Sequence, residues 1–285
     1  MITFATAGKS NSFGNRKYPH DLPDYLAEFG LNGFEVQCGR GINISGEAYD
    51  FLSRQSDISL SLHTPYFISI SSVDGDTRVR SVDKILESAR AAQRIGARRI
   101  VVHSGSCAKM SRGDALSLAL DTLKKAREAL DSNGLEHIAI CPETMGKINQ
   151  LGTLEEVLEL CAFDPRMIPC VDFGHLNARS HGGIKGRNDY AAIFDKIKHT
   201  LGDKILQNLH IHFSKIEYTK GGTPDKPTGG EKKHLTFADN TFGPDYEPLL
   251  DEIIARRLEP FIVCESDGTQ AEDCAKMAEY CRKRT

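Results

Sequence analysis

The chain has 285 residues, with 36 Lys and Arg against 39 Asp and Glu, and a formal net charge of −3. Its 40% hydrophobic and 26% charged residues exclude a disordered chain, and the slight acidic balance excludes a protein that binds polyanions over its whole surface. No run approaches the roughly 18 apolar residues of a membrane span, and Met1 leads into the apolar run Ile2 to Ala7 with no basic leader. A cytoplasmic protein with no membrane association and no obligate protein partner is expected. The eight cysteines contain no C-x-x-C pair and read as reduced, mainly buried thiols.

Short apolar runs alternate with longer amphipathic segments along the whole length, the pattern of repeated βα units around a parallel sheet. The strand segments are Ile2 to Ala7, Gly33 to Gln37, Ile58 to His63, Arg99 to His103, His137 to Glu143, Ile168 to Asp172, Leu206 to Phe213 and Phe261 to Glu265. Helical spacing marks Ser81 to Ile95, Asp114 to Asp131, Thr153 to Cys161, Tyr190 to Leu201, Tyr246 to Arg257 and Ala271 to Arg282. Thr153 with Glu156 reads as a capping box, and Gly96 as a helix stop. No linker divides the eight units, so a single closed α/β barrel over residues 1–285 is the economical fold, with its active site at the C-terminal face. The first βα turn, around Gly8-Lys9-Ser10, carries neither a G-x-G-x-x-G fingerprint nor a phosphate-binding loop. Ser214 to Asp245, rich in Gly, Pro and Lys, is expected to be a long functional loop on that face.

Six consecutive strand segments finish in His, Asp or Glu: His63, His103, Glu143, Asp172, then His210 and His212, and Glu265. Alternation along the third strand sends Ile58, Leu60 and Leu62 outward and His63 inward. Asp172 and His175 stand three residues apart, the aspartate at a strand end and the histidine in the following turn, and so can face one space from two heights. Any one of these is more often a polar strand end or a helix cap, but chance does not often place such residues at six ends that share one opening. Imidazoles converging with carboxylates suit zinc, or manganese or iron, and not magnesium or calcium. His210, His212 and Asn208 share the inward face, and spacing does not choose between the two histidines. His103-Ser104-Gly105-Ser106 lacks a nucleophile elbow. Cys141 and Cys170, below Glu143 and Asp172, are expected to pack as small apolar groups.

These motifs resemble the endonuclease IV family, zinc-dependent apurinic/apyrimidinic endonucleases on a (β/α)8 TIM barrel. The resemblance rests on Leu62-His63-Thr64-Pro65-Tyr66, Val102-His103-Ser104-Gly105-Ser106, Pro142-Glu143-Thr144-Met145-Gly146, Val171-Asp172-Phe173-Gly174-His175, Leu209-His210-Ile211-His212-Phe213-Ser214-Lys215 and Ile262-Val263-Cys264-Glu265. It is nearest to an archaeal and bacterial branch that carries the His210 to Ser214 and Gly230 to His234 motifs. The resemblance implies that His63, His103 and Glu143 hold one zinc ion, and that Glu143, Asp172, His210 and Glu265 hold a second. Glu143 would bridge the two ions, and Glu143 and Glu265 would be the catalytic carboxylates. It further implies a third ion at His175 and His234, whose aspartate position is here Lys232, with Glu231 one residue away. Tyr66 and Phe67 stand where the family distorts damaged double-stranded DNA, whereas Gln37 to Gly41 does not match the family's Arg-containing second βα loop. The implied reaction is DNA cleavage 5′ to abasic sites in base excision repair. Arg179, Lys185, Arg187, Lys215, Lys220, Lys226, Lys232 and Lys233 would supply local basicity on the same face. Two rivals stand beside this reading. One is a single-metal sugar isomerase or epimerase on the same barrel, and the other a metal-dependent nucleic-acid binder without turnover.

Overall fold

Apolar alternation along eight short strands is satisfied when their outward faces lie under helices and their inward faces fill a barrel. The computed structural model describes residues 1–223 and 226–284; the side chains of residues 222, 223, 226 and 227 lie outside the described part, and with them the expectation for Lys226. In chain order the strands are β1 (Thr3–Ala7), β2 (Gly33–Gln37), β3 (Ser59–His63), β4 (Arg99–His103), β5 (Ala139–Glu143), β6 (Cys170–Asp172), β7 (His210–Phe213), β8 (Lys215–Thr223), β9 (Lys226–Leu235) and β10 (Phe261–Cys264). Strands β1 to β7 and β10 are parallel and close into one barrel, in the order β1-β10-β7-β6-β5-β4-β3-β2. This is the (β/α)8 fold that the alternation predicts.

Ten α-helices are described: α1 (Leu22–Glu28), α2 (Gly46–Leu52), α3 (Gly75–Ile95), α4 (Arg112–Asp131), α5 (Leu154–Cys161), α6 (Phe173–Arg179), α7 (Arg187–Leu201), α8 (Asp203–Gln207), α9 (Glu247–Ala255) and α10 (Gln270–Arg282). Local chemistry sets their ends. The Asp74 carboxylate accepts from Thr77 N to start α3, and Gly96 at φ 83 stops it. The Thr153–Glu156 capping box forms as expected at α5. None of the described helices is long and apolar enough to cross a membrane.

Two expectations change. The segment from Ser214 to Asp245 is mostly an antiparallel hairpin, β8 with β9, rather than a loop. The strand expected from Leu206 begins only at His210, because α8 occupies 203–207.

Leu62, Ile100, Val102, Ile140, Val171, Ile211 and Ile262 point outward and are fully buried beneath the helices, each contributing about 1.5–3 kcal/mol of transfer free energy. Inward positions form layers. Ala5, Phe261 and Val263 pack together, as do Val101, Cys141 and Cys170. Above the second group lie the polar strand ends. All eight cysteines are buried, and burial pushes the Cys141 thiol up to about 12, so Cys141 packs as expected.

Candidate metal centre

Glu143 ends β5 at the middle of the barrel mouth, and its two oxygens face opposite ways. Oε2 lies 3.4 Å from His63 Nε2 and 3.4 Å from His103 Nε2. Oε1 lies 3.3 Å from His212 Nδ1 and 3.5 Å from His175 Nδ1. His63 Nδ1 donates to the Thr64 carbonyl at 3.0 Å, which leaves Nε2 as the nitrogen aimed at Glu143. Burial opposes ionisation of Glu143, yet the hydrogen bonds from His175, His212 and His63 hold its carboxyl well below the usual range. Burial drives His103 down to about 4, whereas for His63 the bond and charge of Glu143 outweigh burial and lift it to about 9.

Asp172 does two things at once. Its Oδ1 accepts from His175 N at 2.7 Å and caps α6, so His175 lies in the first turn of a helix rather than in a loop. Its Oδ2 is buried with no hydrogen-bond partner. Burial, reinforced by the charges of Glu265 and Glu143 and offset by His175, raises Asp172 to about 6. Glu265, one residue past β10, is held down to about 2 because His212 outweighs its burial.

On strand seven the structure brings the other inward histidine to the carboxylates. His212, not His210, groups with Glu143, Asp172 and Glu265, with Nδ1 3.3 Å from Glu265 Oε1. The reason is register: β6 pairs Asp172 with His212 and Cys170 with His210, so His210 sits one inward layer lower. There it meets Glu35, a residue that attention to strand ends passes over. Glu35 is completely buried at the middle of β2, with Oε2 3.0 Å from His210 Nε2. The signal was available, since a carboxylate inside the apolar run Gly33 to Val36 needs a buried partner.

His175, Glu231 and His234 form a separate group. His175 Nδ1 donates to the Thr144 carbonyl at 2.9 Å, and its Nε2 stands 3.4 Å from Glu231 Oε2. The hairpin explains why Glu231 is there. Glu217 pairs with Lys233 and Tyr218 with Glu231, leaving Lys232 as the extra residue of a bulge. One extra residue reverses the alternation, so the residue three before His234, not two before it, shares its face. Lys232 turns away to Glu217. The hairpin is docked by Glu231 N donating to the Gly146 carbonyl at 3.1 Å. A side chain at Gly146 would place its Cβ 2.5 Å from Glu231 Cβ.

Tyr66 and Phe67 are 57% and 49% exposed, an unusual state for two adjacent aromatics, with their rings 6.2 Å apart. Much of the expected basicity is committed elsewhere. Arg179 donates to the carbonyls of Met145, Lys147 and Gln150 and so clamps the loop after β5. Arg187 pairs with Glu252, and Lys215 donates to the Asp239 carbonyl.

The donors are imidazole nitrogens and carboxylate oxygens, and the buried Asp172 Oδ2 has no hydrogen-bond partner among the described residues, its nearest imidazole nitrogen being His175 Nδ1 at 3.2 Å, so the groups fit divalent transition ions. The sequence pattern of the xylose isomerase-like TIM barrel family matches residues 23–284. An uncharacterized protein of Methanocaldococcus jannaschii is 28% identical over 267 residues, covering 93% of this chain and 92% of that protein. A probable endonuclease 4 of Mycoplasma pneumoniae is 30% identical over 172 residues, 58% of this chain, and the chain spans 57% of that relative's length. Among solved structures, a D-tagatose 3-epimerase-like protein superposes with a TM-score of 0.70 at 17% identity, over 99% of this chain and 96% of that one, a likeness of fold. With its closed eight-stranded barrel and a match over residues 23–284, the chain belongs to the xylose isomerase-like TIM barrel family.

Proposed function

We propose that the protein is a zinc-dependent phosphodiesterase of the endonuclease IV kind, cleaving damaged double-stranded DNA 5′ to abasic sites. The observation that carries the reading is the division of Glu143, one oxygen toward His63 and His103 and the other toward His212. A carboxylate so divided suits a bridge between two ions, and a one-ion enzyme has no use for His63 and His103. The similarity to a probable endonuclease 4 supports the same reading. His63, His103 and Glu143 would hold one ion, Glu143, Asp172, His212 and Glu265 a second, and His175, Glu231 and His234 a third.

Bound divalent ions would supply the charge that lowers the pKa of water and takes up negative charge developing on the phosphodiester. The chain's own part is orientation. The Thr64 and Thr144 carbonyls fix the tautomers of His63 and His175, and Glu143 and Glu265 orient the attacking water. Tyr66 and Phe67, exposed at the rim, would take the place of bases when the target nucleotide leaves the stack.

A second reading has its own support. Glu143, Asp172, His212 and Glu265 alone are a complete set for one ion, as a sugar isomerase or epimerase would use, and the Gln37 to Gly41 loop departs from the nuclease pattern. One paired assay separates them. Metal-replete protein of measured ion content is given a duplex with a single abasic site and, separately, a ketose. Two or three ions with 5′ incision supports the nuclease. One ion with ketose conversion and an intact duplex overturns it.

A further inference from the structure

Glu35 lies wholly inside the barrel below the metal centre, and every group around it is a donor. Ser61 Oγ donates to Oε2 at 2.8 Å and Gln37 Nε2 to Oε1 at 3.0 Å. His210 Nε2 stands 3.0 Å from Oε2, and His212 Nε2 stands 3.2 Å from Oε1. An ionised carboxylate only accepts, so both imidazoles must carry their hydrogen on Nε2. The 3.2 Å approach of the two Nε2 atoms is then two donors converging on the two oxygens of one carboxylate, not a bond between them. With Nε2–H committed to Glu35, Nδ1 is the His212 nitrogen left to face the mouth, 3.3 Å from both Glu143 Oε1 and Glu265 Oε1, and an ion bound there would replace the hydrogen that those carboxylates hold on it.

We propose that Glu35 is the positioning residue of the metal centre: it locks His212 in the Nε2–H tautomer and turns Nδ1 toward the ion held with Glu143, Asp172 and Glu265, with His210 as a brace rather than a ligand. A ligating histidine whose other nitrogen donates to a carboxylate is held in ring orientation and made more basic. His210 fits the brace because β6 pairs it with Cys170, one inward layer below the Asp172–His212 pair. The inference rests on the metal centre of the proposed function and not on its substrate.

The test is Co2+ binding to the full chain, read by chelator competition and by the visible d–d spectrum. Glu35→Gln keeps size and removes charge. It is expected to weaken one ion by about 10- to 100-fold and to shift its spectrum, while the ion at His175, Glu231 and His234 keeps its affinity. Long-range 1H–15N imidazole spectra of wild-type protein with Zn2+ bound give a second readout that does not depend on how the variant folds. His212 protonated on Nε2 and metallated on Nδ1 supports the assignment, and metallation on Nε2 overturns it. A folded Glu35→Gln protein with unchanged affinity and spectrum also overturns it, leaving the phosphodiesterase reading intact. Wild-type protein that binds no ion at Glu143 overturns both.

Discussion

The two candidate ligand groups at the barrel mouth are built on different principles. Those around Glu143 come from successive strand ends, and the shared register of a closed barrel brings them level: His103 beside Glu143, Asp172 beside His212. The group of His175, Glu231 and His234 comes from a helix start and an added hairpin. It depends on a bulge at Lys232 and on the bare backbone of Gly146. The first group cannot be shifted without opening the barrel; the second can be moved by one residue.

The largest effect follows from Glu143. Glu143→Gln removes the charge that faces both sides of the strand-held group, and incision of an abasic duplex should fall by at least about 100-fold. Ion content should fall as well, while the hairpin-held ion remains. Loss of that ion too would show that the groups are not independent.

Proton competition comes next. Without a cation Asp172 keeps its proton up to pH about 6, and His63 keeps an extra one up to about 9. Both must leave when an ion binds, so each group makes apparent affinity fall as pH drops below its own value. The limiting slope is about tenfold per pH unit for each proton displaced. Chelator competition between pH 5 and 8 should therefore show affinity at the strand-held group rising with pH throughout. A flat profile would break this account of the apo electrostatics.

A smaller and more local effect belongs to Gly146→Ala. The added Cβ would stand 2.5 Å from Glu231 Cβ and 2.9 Å from His175 Cδ2. Overpacking of this kind costs about 1–3 kcal/mol, read as a lower Tm, and the hairpin-held ion should be lost first. Equal loss at both groups would contradict their separation.

The same contrast governs what was legible in the sequence. Strand ends His63, His103, Glu143, Asp172 and Glu265 could be read because period two and a closed barrel leave an inward strand end only one place to point. His210 and His212 could not be separated, because both satisfy period two and the choice lies in which of them pairs with Asp172. Asp172 is compatible both with a helix cap and with a candidate ligand, since Oδ1 caps α6 and Oδ2 is left without a hydrogen-bond partner. The hairpin reads as a loop in the sequence because Gly, Pro and Lys dominate it, and no local signal announces a bulge. Glu35 sits at mid-strand, where a carboxylate inside an apolar run signals that it needs a buried partner, but only the fold identifies His210 and His212 as that partner.

The smallest predicted effect is the sharpest probe of the hairpin. If Lys232 is only the extra residue of the bulge, deleting it makes the Glu217–Lys233 and Tyr218–Glu231 pairs consecutive in a regular ladder, with nothing else displaced. Glu231 and His234 would then stand two apart and still share a face. The deletion should keep the hairpin-held ion and change stability by no more than about 0.5 kcal/mol, as a surface change does. Lys232→Asp combined with Glu231→Gln restores an acid at the position the family resemblance points to, yet the bulge turns that position away from His175, so it should not restore the ion. Metal analysis of the two variants decides whether the ligand is set by sequence spacing or by the face the bulge exposes. Rescue by Lys232→Asp would mean that the bulge relaxes when an acid is placed there, and that the hairpin adapts to the ion instead of presenting a fixed ligand to it.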